Sequence, residues 1–106
     1  KKIHNSFIVE IEKNEDERGF FARTYDVNEF KKYGLNSKIV QCNINYTKKK
    51  GTVKGLHYQK TPFEEAKLIR CIRGSVYSVI VDLRPDSPTY KQSESVILSE
   101  NEYCWR

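Results

Sequence analysis

Apolar and polar side chains alternate along several short segments of the chain, with the period of two that is typical of β-strands. Residues 6–12 have an apolar side chain at every second position, which predicts a half-buried strand. A polar turn is predicted at residues 14–19, followed by an aromatic strand over residues 20–25. Further strands are predicted, in chain order, at residues 39–46, 52–59, 66–72, 75–83 and 93–98. The chain is therefore predicted to consist mainly of β-structure.

One short helix and several turns separate these strands. The helix is predicted over residues 29–33, with Asp26 or Asn28 as its N-cap and Gly34 as its end. Turns are predicted at residues 48–51, at the possible hairpin corner Arg73–Gly74 and at residues 85–88. Many short strands with regular turns predict an antiparallel sandwich or barrel.

The composition limits the class of protein. With 106 residues the chain is predicted to form a single domain, residues 1–106. No apolar run is long enough to cross a bilayer and the first residues lack the apolar stretch of a signal peptide, so no membrane partner and a cytoplasmic location are expected. Cys42, Cys71 and Cys104 are an odd number without metal-ligand spacing, which predicts reduced core thiols.

The net charge of +5 raises the question of nucleic-acid binding. The basic residues are spread along the chain among acidic ones, however, and the only dense run is Lys48, Lys49 and Lys50. Because Gly51 follows this run directly, the run is interpreted as a solvated turn. Nucleic-acid binding is therefore not the favoured function.

A candidate catalytic group lies at residues 54–59. On a strand His57 and Gln59 would share a face, and the preceding strand would present Gln41, Asn43 and Asn45 on one face. Histidine suits a general base, and a nearby cation such as Lys67 would stabilise an oxyanion. The alternative interpretation is structural, with a histidine at a barrel rim and an edge lysine that discourages aggregation. A metal site is not expected, because no second histidine lies near His57.

A second cluster lies at residues 16–21. Here Arg18 stands beside Phe20 and Phe21, an arrangement in which a guanidinium could hold a phosphate while a ring stacks on a base. A charged turn that enters an aromatic strand is also common in proteins without any such site.

Four motifs in order resemble the dTDP-4-dehydrorhamnose 3,5-epimerase family. They are Asp-x-Arg-Gly-x-Phe at residues 16–21, Gln-x-Asn at 41–43, Gly-Leu-His-Tyr-Gln at 55–59, and Asp-Leu-Arg at 82–84 with Ser-Pro-Thr-Tyr at 87–90. The resemblance implies an all-β, cupin-like jelly-roll barrel of antiparallel strands with one short helix. It also implies a homodimer with exchanged N-terminal strands that acts on a dTDP-4-keto-6-deoxy sugar without metal or organic cofactor.

The resemblance also implies a role for each matched residue. His57 would be the base that removes a proton beside the sugar ketone, and Lys67 would stabilise the enolate. The residues implied in substrate binding are Arg18, Phe20, Gln41, Asn43, Lys54 and Gln59, with Phe20 offered from the neighbouring subunit to the nucleotide base.

The chain departs from the family at several points. Lys54, Arg23 and Ser78 stand where family members commonly have arginine, glutamate and aspartate. The family also continues with strands that carry an orienting aspartate and a reprotonating tyrosine, so a shortened member is expected here, with Tyr46, Tyr58 and Tyr77 as open alternatives for the acid. A non-catalytic sugar-nucleotide-binding or dimerising relative, and a 3-epimerase or ketoisomerase, remain alternative functions.

Overall fold

The computed structural model describes residues 3–100 and 104–105. In these ranges the chain forms β1 (Val9–Glu10), β2 (Lys13–Asp16), β3 (Gly19–Ala22), α1 (Val27–Lys32), β4 (Ser75–Val81), β5 (Ser93–Ser99) and β6 (Cys104–Trp105). The strands form three antiparallel pairs, β1 with β6, β2 with β3 and β4 with β5. The prediction of mainly β-structure with little helix is confirmed.

The chain divides into two compact units. Unit 1 comprises Lys1–Arg23 together with Lys67–Arg106, and unit 2 comprises Thr24–Ala66. All three strand pairs belong to unit 1, whereas α1 belongs to unit 2.

The β4–β5 pair forms the largest ladder in unit 1. Its register places Val76 opposite Leu98 and Ser78 opposite Val96, so these side chains share one face. Leu98 is completely buried on that face. On the opposite face Tyr77 pairs with Ile97, and both are exposed. The strands predicted at residues 75–83 and 93–98 are therefore confirmed as Ser75–Val81 and Ser93–Ser99, and one face of this pair contributes to the core.

The β2–β3 pair is a tight hairpin that the sequence pattern only partly predicted. Residues 14–19 were expected to form a polar turn, but Lys13–Asp16 is a strand paired with Gly19–Ala22, which leaves only residues 17–18 as the connection. The side chains of β2 are all exposed. Because strand pairing uses the backbone, a strand without a buried face carries no apolar alternation and cannot be recognised from such a pattern.

The predicted helix is confirmed as α1, although Val27–Lys32 begins two residues earlier and ends one residue earlier than the predicted range of 29–33. Of the two candidate caps, Asp26 is the N-cap, since its Oδ1 accepts hydrogen bonds from the backbone N–H groups of Asn28 at 2.9 Å and Glu29 at 3.0 Å. Phe30 is buried and meets the Tyr25 ring edge-to-face, with 4.8 Å between the centroids. Gly34 follows the helix with a φ of 72°, a conformation that glycine adopts without steric cost.

Removal of this cap is expected to destabilise unit 2 locally. Asp26→Ala should lower the free energy of helix opening by about 0.5–2 kcal/mol, because two N–H groups lose their acceptor. Asn28→Ala is the matched control and should change it by less than about 0.5 kcal/mol. Amide exchange at Phe30 and Tyr33, whose N–H groups bond to Asp26 and Glu29, measures the effect. Equal effects of both substitutions would contradict the assignment of Asp26 as the cap.

Several predicted strands are wrong. Residues 39–46 and 52–59 form no strand, and residues 66–72 contain only one bridge residue, Arg70. Their apolar side chains are largely exposed, with Val40 at 81%, Ile44 at 82% and Val53 at 89%. Alternation describes which side chains could share a face, but a strand also needs a neighbour that completes its hydrogen-bond ladder. In the part of the chain that the structure describes, these segments have no such ladder.

Two smaller predictions in unit 1 also need correction. The strand expected over residues 6–12 is limited to Val9–Glu10, which pairs with Cys104–Trp105. The expected hairpin corner at Arg73–Gly74 instead lies at the open end of the β4–β5 ladder, where Gly74 O accepts a hydrogen bond from Glu100 N at 3.1 Å. Gly74 has a φ of 78°, so a turn residue was correctly recognised although its place in the sheet was not.

Cys42 and Cys71 differ in burial. Cys71 is buried as a free thiol, as predicted, whereas Cys42 is a free thiol that lies exposed, so the prediction of a core position is wrong there. The Cys104 side chain lies outside the described part of the structure. No helix within residues 3–100 or 104–105 is long and apolar enough to cross a membrane.

Candidate active site

Arg18 lies in the two-residue connection of the β2–β3 hairpin, where Asp16 holds it. Asp16 Oδ1 accepts a hydrogen bond from the Arg18 backbone N at 2.8 Å, and Asp16 Oδ2 lies 2.6 Å from Arg18 Nη2 and 3.2 Å from Nε. These bonds lower the pKa of Asp16. A guanidinium has five N–H donors, of which Asp16 takes two. Arg18 is thus oriented by its neighbour and retains donors for an anion, with 86% of its side chain exposed.

Phe20 lies next to this arginine on β3. Its ring is 44% exposed and lies 5.4 Å from Lys13 Nζ, a cation–π distance. Together with Phe21, Arg18 and the end of β2 it lines an open cleft of about 330 Å³. The hairpin therefore brings together an exposed cation and an exposed aromatic ring, the pair that the sequence singled out.

His57 lies in unit 2, two residues after Gly55, whose backbone has a positive φ. Gly55 has a φ of 89°, which side chains disfavour, and a Cβ there would lie 3.4 Å from His57 N and 3.7 Å from His57 Nδ1. The imidazole is exposed and thus accessible to a ligand. The preference for glycine before Leu56 follows from its φ, because both distances are ordinary van der Waals contacts.

Lys54 contacts the amide-rich segment that the sequence pattern pointed to. Its Nζ donates a hydrogen bond to Asn45 Oδ1 at 2.9 Å. The turn between them is fixed by Thr52, whose Oγ1 donates to Lys49 O at 2.7 Å, and by Gly51 with a φ of 78°. The basic run at residues 48–50 is therefore an exposed turn, as predicted. Asn45 belongs to the predicted amide-rich face but not to the substrate-binding residues that the resemblance implied, and it is the partner of Lys54.

Gln59 is held by residues that follow it. With its amide nitrogen towards Glu65, it donates to Glu65 Oε1 at 3.1 Å and to Phe63 O at 3.2 Å. A carboxylate partner of this kind has no sequence signature, because Glu65 lies after the loop that contains Pro62.

The remaining predicted residues are exposed. Gln41 and Asn43 lie in unit 2, as do Lys54, His57 and Gln59, whereas Lys67 opens the second segment of unit 1. Arg18 and Phe20 share one hairpin, and Lys54 shares a hydrogen bond with the amide segment. The pairing of His57 with Lys67, and the catalytic and binding roles of all eight residues, stay predictions. Within the described ranges no three His, Cys, Asp or Glu side chains form a group that could hold a metal ion.

Comparison with known proteins points to one family. The sequence profile described as dTDP-4-dehydrorhamnose 3,5-epimerase matches residues 1–104. A protein of that name from Sinorhizobium fredii is 41% identical over 85 residues, which are 80% of this chain and 44% of that protein. A dTDP-4-dehydrorhamnose 3-epimerase from Streptomyces niveus is 39% identical over 89 residues, 83% of this chain and 42% of that protein.

A solved structure gives the same result. The dTDP-4-dehydrorhamnose 3,5-epimerase of Bacillus anthracis, crystallised with TDP and PPi bound, superposes with a TM-score of 0.90 at 38% identity. The match covers 98% of this chain and 62% of the Bacillus chain. The chain spans about half the length of the curated relatives that it matches.

Proposed function

The chain belongs to the dTDP-4-dehydrorhamnose 3,5-epimerase family, and on this premise we propose that it takes part in epimerisation at C3 and C5 of a dTDP-4-keto-6-deoxy sugar, in dTDP-rhamnose-type biosynthesis. The observation that carries the proposal is the family match over residues 1–104 with the Gly-Leu-His-Tyr-Gln motif at residues 55–59 inside it. The His57 imidazole is exposed, so a substrate could reach it.

The chemistry follows from the acidity of hydrogens beside a ketone. A base removes the proton from C3 or C5, the electron pair moves onto the C4 oxygen as an enolate, and a proton returns to the opposite face of the carbon. His57 is the base in this proposal, and Lys67 supplies the positive charge beside the enolate oxygen. A histidine suits this role because its ordinary pKa lies near neutral pH.

Substrate binding is assigned to both hairpin and loop residues. Arg18 would donate to the diphosphate, since Asp16 already orients its guanidinium, and Phe20 would stack on the nucleotide base. The TDP and PPi bound to the Bacillus anthracis relative are consistent with such a diphosphate site. The residues proposed to line the sugar-diphosphate site are Gln41, Asn43, Lys54 and Gln59.

The surrounding architecture is also part of the proposal. We propose that the two units form one cupin-type domain of the jelly-roll class, as a homodimer in the cytoplasm. The TM-score of 0.90 to the Bacillus anthracis enzyme supports the fold. Exposed apolar side chains such as Val40 and Ile44 supply surface that further protein could cover, and the free thiols of Cys42 and Cys71 suit a reducing compartment.

A 3-epimerase is the second candidate. The Streptomyces niveus relative carries that name and is nearly as similar to this chain as the 3,5-epimerase from Sinorhizobium fredii. In this proposal both reactions use the same base and pass through an enolate of the C4 ketone, so they differ in which carbons lose a proton.

Incorporation of solvent deuterium tests the proposal. We expect that dTDP-4-keto-6-deoxyglucose incubated with the protein in D₂O gains deuterium at C3 and C5, as followed by proton NMR. Label at C3 alone would favour the 3-epimerase. No label at either carbon, together with TDP binding by calorimetry, would contradict catalysis and leave a sugar-nucleotide-binding relative.

A further inference from the structure

Asp82 is a buried carboxylate at the end of β4 that no step of the proposed function uses. Only 3% of the residue is exposed. Its carboxylate accepts hydrogen bonds from Arg84 Nε at 2.9 Å, Arg84 Nη2 at 3.0 Å, Ser87 Oγ at 2.5 Å and Thr89 Oγ1 at 2.7 Å. These donors hold the pKa of Asp82 far below its ordinary value. The carboxylate therefore fixes the orientation of three side chains in one loop.

Two of these oriented side chains hold the backbone of a distant residue. Arg84 Nη2 donates to His4 O at 2.5 Å, and His4 N donates to Thr89 Oγ1 at 3.0 Å. Next to them Ile3 N donates to Glu94 Oε2 at 2.8 Å. Both backbone groups of His4 are thus bound by side chains that Asp82 orients, although His4 and Arg84 lie 80 positions apart.

The bound segment is a turn with its own internal support. Ser6 N donates to Ile3 O at 3.0 Å, and Asn5 has a φ of 61°, which asparagine tolerates better than most residues. Ile3 is buried, with 4% exposed. Because the contacts to His4 use only its backbone, this attachment does not depend on the imidazole.

This attachment lies just before the hairpin that carries the proposed diphosphate and base contacts. Residues 3–8, here called the arm, lead into β1, which pairs with β6, and then into the β2–β3 hairpin. The arm is therefore fixed at both of its ends, by the Asp82 loop and by the β1–β6 ladder. Only residues 11 and 12 separate β1 from the start of the hairpin at Lys13.

We propose that Asp82 is a positioning residue: through Arg84 and Thr89 it fixes the backbone of the arm, and through the arm it sets the position of the hairpin that carries Arg18 and Phe20. The role in ligand binding rests on the proposed function, in which these two residues meet the nucleotide diphosphate. Asp82 itself touches no substrate in this scheme.

The test uses variants that release the arm without touching the hairpin. Asp82→Asn weakens the charge-assisted bonds to Arg84, and Thr89→Val removes the acceptor of His4 N. Thr89→Ser restores the hydroxyl and is the conservative rescue, whereas His4→Ala keeps both backbone contacts and is the neutral control. Amide exchange is followed at His4, with Tyr77 and Ile97 in the β4–β5 ladder as reference positions, and TDP affinity is measured by calorimetry.

We expect Asp82→Asn and Thr89→Val to accelerate exchange at His4 by about five- to tenfold, the effect of one net hydrogen bond, with no change at the reference positions. The Kd for TDP should also rise, by at most this factor, because it scales inversely with the population of the competent arrangement. Thr89→Ser and His4→Ala should resemble the unchanged protein.

Three results would overturn the proposal. They are an unchanged exchange rate at His4, an equal rise in exchange rate at His4 and at the reference positions, or faster exchange at His4 with unchanged TDP affinity. Should the unchanged protein itself bind no TDP, the proposed function fails separately. Exchange at Phe20 and Phe21 of the hairpin then decides whether release of the arm reaches the hairpin, and no change there would overturn the positioning role.

Discussion

Replacement of His57 by alanine is expected to reduce deuterium incorporation at C3 and C5 of the keto-sugar nucleotide by about 10²–10⁴-fold, the usual contribution of a general base. The substitution removes the group proposed to take the proton and leaves the fold intact, because His57 is exposed and buries no surface in the core. Initial rates of label entry, measured by NMR at equal protein concentration, give the comparison directly.

The chain offers a matched control for this substitution in its other histidine. His4→Ala removes an exposed imidazole from unit 1 and keeps the backbone contacts to Arg84 and Thr89. Label entry should be unchanged within about twofold, since exposed substitutions away from special contacts are nearly neutral. The assignment of His57 as base is wrong if His57→Ala retains the label rate while TDP affinity is unchanged.

The largest effect on stability is expected at Leu98. This side chain is completely buried in the β4–β5 ladder, opposite Val76. Leu98→Ala should lower the free energy of unfolding by about 2–5 kcal/mol, because the cavity adds to the lost transfer free energy. For a domain of this size each kcal/mol lowers Tm by about 4–8 °C. Few apolar side chains within residues 3–100 are buried, so the protein has little stability in reserve.

The neighbouring Ile97 provides the comparison for Leu98. It lies on the same strand but points to the opposite face and is 55% exposed. Ile97→Ala removes a side chain of the same size and should cost less than about 1 kcal/mol. Thermal melts and urea titrations of both variants measure the difference. Similar losses of stability at the two positions would show that the exposed face of the ladder is covered by other protein.

The sequence predicted elements whose signals are local. The helix α1 was recognisable because Asp26, an apolar side chain at Phe30 and Gly34 each act within one or two helical turns. β4 and β5 were recognisable because they are rich in β-branched residues, which favour strands. In these segments the structure predicted from the residues is the one that the backbone hydrogen bonds form.

The sequence failed where structure depends on a distant partner. Residues 39–46 alternate as a half-buried strand would, yet alternation carries no information on which backbone would complete a ladder beside them. β2 shows the opposite case, since it pairs through its backbone although all of its side chains are exposed.

The sequence also predicted only part of the candidate site. The neighbours Arg18 and Phe20 could be grouped because they lie in one short segment, whereas the contact of Lys54 with Asn45 was not predicted. The orienting roles of Asp16 and Glu65 could not be read from residue types, because each depends on the detailed geometry of a turn or loop. The sequence also carried no sign that Arg84, which Asp82 orients, binds the backbone of His4, 80 positions away.

The pairing of β1 with β6 also sets an order of events during synthesis. Val9 lies opposite Trp105, 96 positions later in the chain, and translation at about 5–20 residues per second separates their appearance by about 5–20 s. Throughout that interval β1 has an unpaired edge, the kind of backbone that associates with other chains. Because β1 has only two residues, few unpaired backbone groups are exposed before β6 is synthesised.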